Sequence, residues 1–201
     1  MIAGIITTPN RQEHLYDLVK LIAPYVRKLI IFNDIESKGH TQNMKQCMKT
    51  CLQEAYINEP VLIMCDDVVT VPDWYERFED LHREVGHNIY TFMSRQRHLF
   101  TEENIQRGYV KGLFKKGFYD HAVIYINQFH LVDDIDDWFR AVGKKIIPLS
   151  RQKHYDVIIQ EYLIANGFDW VLTTPTLFDH IGNKSNFNHD IGGSYKYIGN
   201  I

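Results

Sequence analysis

The stretch VLIMCDD, residues 61–67, decides the fold because an apolar run ends there in two adjacent acids. Successive apolar residues closed by polar ones are typical of a strand that is buried on both faces. Two similar runs precede it, IAGIIT at residues 2–7 and KLIIF at residues 28–32. They end in Thr7-Thr8-Pro9 and in Asn33-Asp34. The sequence therefore predicts three apolar strands with polar carboxyl ends, the first of them buried.

Each of these runs is followed by a helical pattern. Apolar residues recur at three- and four-residue steps over about residues 11–26, 44–55 and 74–85. Three strand–helix units within the first ninety residues indicate a mostly parallel sheet with helices on both faces. The length of 201 residues suits one core, so we expect a single α/β domain over residues 1–201.

The regular alternation ends after about residue 90. Strands are predicted at residues 89–93, 121–126 and 170–173, and helices at residues 128–142 and 155–165. The connection between the first two of these strands is polar and basic. It carries no predicted element.

Composition excludes several classes of protein. A hydrophobic fraction of 45% with 23% charged residues is globular, not disordered or collagen-like. No apolar run is long enough to span a membrane, and no basic stretch precedes the short apolar N-terminus. We therefore expect a cytoplasmic protein without a membrane partner. Its three cysteines, Cys47, Cys51 and Cys65, are interpreted as reduced core residues.

Asp66 and Asp67 are the first candidates for a ligand site. Open parallel sheets bind ligands beyond the carboxyl ends of their strands. Adjacent carboxylates at such an edge repel each other unless a cation or hydrogen-bond donors compensate. Carboxylate ligation together with a nucleotide suits Mg²⁺ or Mn²⁺. The alternative is that either aspartate only caps the following turn or helix.

Several segments resemble the GT-A fold glycosyltransferases, particularly small phage-type, DNA-modifying members. Residues 61–78 (VLIMCDDVVTVPDWYERF) are similar to their DxD-type motif, with Cys65 at the position of the first acid. Residues 174–187 (TPTLFDHIGNKSNF) are similar to a late segment with a functional histidine. Residues 39–43 (GHTQN) resemble a glycine-plus-asparagine element, and residues 194–199 (SYKYIG) a tail element.

The resemblance implies a GT-A-like (Rossmann-like) fold and transfer of a sugar from a nucleotide-diphosphate donor to a hydroxyl, with inversion. Residues 1–95 would bind the nucleotide sugar, and residues 96–201 would form the acceptor side. Asp67 and His180 would bind Mn²⁺ or Mg²⁺. The residues implied to line the donor pocket are Thr7, Thr8, Arg11, Asn33, Asp34, Gly39, Asn43 and Asp66.

Structural alternatives stay open for these residues. His180 could be a structural histidine that follows a strand. Gly39 and Asn43 could belong to an ordinary helix start capped by Thr41. Arg11 could instead pair with an acid on its own helix.

Asp156 is the predicted general base, because it opens a helix in the position that the resemblance implies for an acid of inverting enzymes. Helix capping is the alternative for this residue. Glu161, further along the same helix, is the reserve candidate.

Two basic stretches without acids suggest a DNA acceptor, for which a hydroxymethylated pyrimidine is the preferred target. A solvated surface is the alternative. Their cations are Arg107, Lys111, Lys115 and Lys116, then Arg140, Lys144, Lys145, Arg151 and Lys153. A glycan, lipid-linked sugar or protein acceptor, a nucleotidyltransferase, and a non-catalytic nucleotide- or DNA-binding derivative are the rival interpretations.

Overall fold

The computed structural model describes residues 1–7, 12–33, 40–94, 97–112, 123–127 and 130–180. Short apolar segments of these residues form nine strands. They are β1 (Ile2–Thr7), β2 (Lys28–Asn33), β3 (Val61–Cys65), β4 (Val68–Thr70), β5 (Ile89–Thr91), β6 (Tyr109–Gly112), β7 (Val123–Ile126), β8 (Trp170–Thr173) and β9 (Phe178–His180).

Seven of the described strands form one sheet in the order β2-β1-β3-β7-β5-β8-β6. β1 runs parallel to β2 and β3, and β5 runs parallel to β8. β7 is antiparallel to both β3 and β5, and β6 is antiparallel to β8. Five of the seven strands therefore point the same way, which confirms the predicted mostly parallel sheet. β4 and β9 form a separate antiparallel ribbon.

The helices connect these strands. They are α1 (Gln12–Ile22), α2 (His40–Glu54), α3 (Trp74–Val85), α4 (Glu102–Arg107), α5 (Leu131–Trp138), α6 (Lys144–Ile146) and α7 (Tyr155–Ala165). A π-helical segment, Phe139–Gly143, joins α5 to α6. Among the described residues, none of the helices combines the length and the apolar composition that crossing a bilayer requires.

Both faces of the sheet are covered, as the apolar strands predict. Alternate residues of a strand point to opposite faces. Ile2 and Ile6 of β1 pack on one face with α2, α5 and α7, whereas Ala3 and Ile5 pack on the other face with α1 and α3. The two faces are therefore separate hydrophobic cores.

Gly4 sets how closely α2 approaches the sheet. A Cβ at this position would lie 2.5 Å from Cys47 Sγ and 2.7 Å from Cys51 Sγ. Both cysteines are buried and free, as predicted, while Cys65 is half-buried. A hydrogen bond with Cys51, together with burial, raises the pKa of Cys47, so this thiol stays protonated.

Several boundaries differ from the sequence prediction. α1 ends at Ile22 rather than at residue 26, because Pro24 forces the chain into the 3₁₀ turn Ala23–Tyr25. The helix predicted for residues 128–142 begins at Leu131 and loses its α-helical form at Phe139. The basic connection, to which the sequence assigned no element, contains α4 and β6.

Candidate active site

The carboxyl ends of β1, β2 and β3 lie side by side, and we call this side of the sheet the carboxyl edge. The parallel register places Thr7 opposite Asn33, and Ile6 opposite Cys65. Asp66 directly follows β3. Neighbouring strands are about 4.8 Å apart. The sheet therefore holds three of the predicted site residues in one row: Thr7, Asn33 and Asp66.

Asp66 is tied to the end of β1. The hydroxyl of Thr7 donates a hydrogen bond of 2.6 Å to Asp66 Oδ2. The backbone amide of Asp66 donates a second one to the carbonyl of Ile6, at 3.0 Å. Both side chains are buried. Two hydrogen bonds therefore fix the position of this carboxylate, which is the prerequisite for a group that orients a ligand.

Asp67 faces the end of the ribbon formed by β4 and β9. Val68 of β4 pairs with His180 of β9, which brings the two segments together. His180 Nδ1 lies 3.6 Å from Asp67 Oδ1, and both side chains are largely shielded from solvent. This distance exceeds that of a hydrogen bond. Among the described residues, His180 Nδ1 is buried without a hydrogen-bond partner.

A buried ring nitrogen without a partner next to a carboxylate fits a shared divalent cation. Carboxylate and imidazole are both common ligands of such ions. Within the described part of the chain, no group of three His, Cys, Asp or Glu residues could hold a metal ion. Two protein ligands suffice when water and substrate phosphate complete the coordination, as is usual for Mg²⁺ sites. The donor set of Asp67 and His180 therefore fits the predicted metal.

Helices α2 and α7 also begin at the carboxyl edge. α2 follows β2 in the chain, and α7 is joined to the amino end of β8 by residues 166–169. Asn43 is buried in the first turn of α2, and Asp156 is half-buried in the first turn of α7. The N-terminus of a helix carries a partial positive charge. Two such ends at one edge favour an anionic ligand there.

Asp156 lies on the opposite side of the sheet from the ribbon. α7 packs in the core with α2, whereas Val68 and Phe178 of the ribbon pack in the core with α1 and α3. The structure thus places Asp156 at the same edge as Asp67 and His180, but across the sheet from them. Glu161 is engaged elsewhere, because its carboxylate pairs with Arg151 at 3.8 Å.

Several predicted residues lie outside the described residues. They are Thr8, Arg11, Asp34, Gly39, Lys115 and Lys116, together with the tail motif at residues 194–199.

The basic stretches are less free of acids in three dimensions than in sequence. Arg107 pairs with Glu103, and Arg140 pairs with Asp137. Lys111 is exposed in β6, the outermost strand of the sheet on the side away from β2. The lysines of the second stretch, Lys144, Lys145 and Lys153, are exposed in and near α6. The two stretches therefore belong to different elements. Acids next to each stretch therefore compensate part of its positive charge.

The ribbon that brings Asp67 and His180 together was missing from the sequence prediction. Its strands β4 and β9 contain only three residues each, too few for a periodic pattern. Two β-branched residues directly after the acids, Val68 and Val69, were the available signal for β4.

No protein-family model matches the sequence, and no curated protein matches it significantly. Solved structures do resemble it. A glycosyltransferase involved in the glycosylation of the major capsid of PBCV-1 is similar, with a TM-score of 0.53 and 11% identity, over 92% of this chain and 95% of that one.

Two further structures are less similar. Glucosyl-3-phosphoglycerate synthase from Mycobacterium tuberculosis has a TM-score of 0.43 at 11% identity, over 84% of this chain and 80% of that one. The galactosyltransferase LgtC has a TM-score of 0.41 at 11% identity, over 85% and 73%. At such identities the likeness concerns the fold alone. The chain has a GT-A-like α/β fold, as predicted.

Proposed function

We propose that this protein is a metal-dependent glycosyltransferase that moves a sugar from a nucleotide diphosphate to an acceptor hydroxyl. The observation that carries the proposal is the pairing of Asp67 with His180 at the carboxyl edge. The glycosyltransferase activity of the PBCV-1 protein, whose fold is similar over nearly the whole chain, supports it.

The donor would bind along the row formed by Thr7, Asn33 and Asp66. The fixed carboxylate of Asp66 is suited to accept hydrogen bonds from ribose hydroxyls. The N-terminus of α2 favours the diphosphate. In this proposal residues 1–95 supply most donor contacts, while His180 comes from the second half of the chain.

Asp67 and His180 would hold Mn²⁺ or Mg²⁺. When bound, such an ion offsets the negative charge that develops on the departing diphosphate. The ribbon already brings the two side chains to within 3.6 Å of each other, because Asp67 directly precedes β4 and His180 pairs with Val68 of that strand.

Asp156 is the proposed general base. It would accept the proton of the acceptor hydroxyl while that oxygen attacks the anomeric carbon and the bond to the nucleoside diphosphate breaks. Attack from the side opposite the leaving group gives inversion. In an inverting reaction the base and the leaving group lie on opposite sides of the sugar. The position of Asp156, across the sheet from the ribbon that carries His180, supports its role as the base.

The acceptor is predicted less sharply than the donor. The DNA acceptor rests on the two basic stretches, and the pairing of Arg107, Arg140 and Arg151 with acids reduces the charge available to phosphates. A duplex that contains hydroxymethylated cytosine should therefore be tested beside glycan and lipid-linked acceptors.

The testing experiment measures thermal stability with a panel of nucleotide sugars, with and without Mn²⁺. A ligand of the folded state raises the unfolding temperature by mass action. We expect a donor that stabilises the native protein only when Mn²⁺ is present, and loss of this Mn²⁺-dependent stabilisation in Asp67→Asn and in His180→Gln. Glu161→Gln is the matched control, since its carboxylate pairs with Arg151. A donor shift in Asp67→Asn that still depends on Mn²⁺ would contradict the assignment.

A further inference from the structure

The segment that links α5 to α7, residues 139–153, is both basic and apolar at its surface, and we call it the basic–apolar segment. It contains five cations and no acid. Three large apolar side chains are exposed in it, Val142 by 46%, Ile146 by 56% and Leu149 by 85%. Exposed apolar side chains that cluster in this way mark interaction surfaces.

The chain holds these apolar side chains outward by packing its other side. Gly143 and Ile147 are buried, while Val142 and Ile146, which directly precede them, are exposed. A Cβ at Gly143 would lie 2.8 Å from the rings of Phe139 and Trp138. Gly143 therefore lets the π-helical segment sit tightly on the core. The outward side chains cannot turn inward, because the inner positions are already filled.

Leu149 stands at the tip of a hydrogen-bonded turn. The side-chain amide of Gln152 donates to the carbonyl of Lys144 at 3.1 Å and to that of Ile147 at 2.7 Å. The backbone amide of Arg151 donates to the carbonyl of Pro148 at 2.8 Å. These bonds close the turn against the end of α6. They present Leu149 to solvent as part of a defined surface.

The charge of this surface is positive after pairing is taken into account. Arg140 pairs with Asp137 of the adjoining α5, and Arg151 pairs with Glu161 of the adjoining α7. Two other acids of α5, Asp136 and Asp133, pair with Lys45 and Lys49 of α2. Within the described part of the chain, no ion pair involves the remaining cations of the segment, Lys144, Lys145 and Lys153.

We propose that the basic–apolar segment docks on an anionic membrane surface, with Ile146 and Leu149 entering the lipid headgroup region and the lysines contacting lipid phosphates. Aliphatic side chains gain by leaving water at a bilayer, and each lysine gains from the negative surface potential. A nucleic acid would use the lysines, but its backbone offers no partner to exposed aliphatic side chains.

Docking of this kind needs no spanning helix, and it orients the molecule. The segment leads directly into α7, so it lies at the carboxyl edge. The carboxyl edge would then face the membrane.

The experiment is co-sedimentation of the full-length protein with vesicles, without any nucleotide sugar, so that its result is independent of the proposed function. The vesicles contain phosphatidylcholine alone or with about one third phosphatidylserine. We expect binding only to the anionic vesicles. Leu149→Asp should weaken binding at least about tenfold, and Lys144→Gln with Lys145→Gln about fivefold for each lysine.

Ile57→Asp is the matched control. Ile57 is 86% exposed in the turn after α2, at the other end of that helix from the carboxyl edge, and nearby Arg27 and Lys28 are paired with Glu59 and Glu54. This variant should bind vesicles like the unsubstituted protein. Circular dichroism checks that all variants fold.

Three results would overturn the proposal. The first is failure to bind anionic vesicles, and the second is equal vesicle binding by the native protein and Leu149→Asp. The third is binding of a short DNA duplex that the lysine substitutions weaken and Leu149→Asp does not, without vesicle binding. That pattern would identify the surface as a nucleic-acid interface.

Discussion

Replacing Thr7 with valine tests whether its hydrogen bond to Asp66 holds the carboxyl edge together. Valine has nearly the shape of threonine and lacks the hydroxyl. The substitution removes the 2.6 Å bond to Asp66 Oδ2 and leaves the packing of β1 in place. The carboxylate of Asp66 stays buried, so water cannot readily replace the lost donor.

The expected cost follows from the kind of bond and from its burial. Hydrogen bonds to charged groups contribute about 1.5–3 kcal/mol, more than neutral ones. We expect Thr7→Val to lower the free energy of unfolding by about 2 kcal/mol at neutral pH. For a chain of this length, that corresponds to a melting temperature lower by about 4–8 °C.

The assay is urea unfolding followed by circular dichroism, with Thr173→Val as the control. Thr173 also ends a strand of the sheet and is equally buried, but its hydroxyl has no hydrogen-bond partner among the described residues. Its replacement should be neutral or slightly stabilising, because an unsatisfied buried hydroxyl is itself costly. The reasoning would be refuted if Thr7→Val and Thr173→Val lost the same free energy of unfolding. It would also be refuted if Thr7→Val were as stable as the native protein.

Three other expectations address the fold and the chemistry. Gly4→Ala should cost about 1–3 kcal/mol in urea unfolding through its clash with Cys47 Sγ, and less in a Cys47→Ala background; additive losses would argue against the clash. The pKa of Glu59 is lowered from 4.5 to about 2, chiefly by its hydrogen bond from Arg27. Its contribution to stability is therefore complete above pH 4.5 and is lost as the pH falls towards 2. As the pH falls, the free energy of unfolding should decrease less in Glu59→Gln than in the native protein. Parallel curves of stability against pH for the two proteins would contradict this. Asp156→Asn should lower turnover at least about 100-fold while donor affinity stays constant, and full turnover would remove it as the base.

The first half of the fold could be predicted because its patterns are long and regular. β1, β2 and β3 are continuous apolar runs, and α2 and α3 carry one apolar face each. Local sequence is enough when an element carries a regular apolar pattern along its whole length. The predicted end of α1 was too late. The apolar spacing continues to residue 26, but Pro24 ends the α-helix at Ile22.

The second half depends on contacts that local sequence does not contain. β6 is a strand because Tyr109 to Gly112 pair with β8, far along the chain, and β9 exists only through its pairing with β4. At the candidate site, sequence indicated Thr7, Asp66, Asp67 and His180 as single residues. The residue pattern alone could not predict that Thr7 bonds to Asp66, since this contact depends on strand register, whereas the proximity of His180 to Asp67 was implied by the family resemblance.

The two sides of the proposed metal site come from segments far apart in the chain. Asp67 follows the third strand, while His180 is the last residue of the ninth. Bringing distant segments together costs chain entropy that only the completed fold repays. Val68 and Phe178 anchor the ribbon in the core with α1 and α3, so the two proposed ligands come together only where that core is intact.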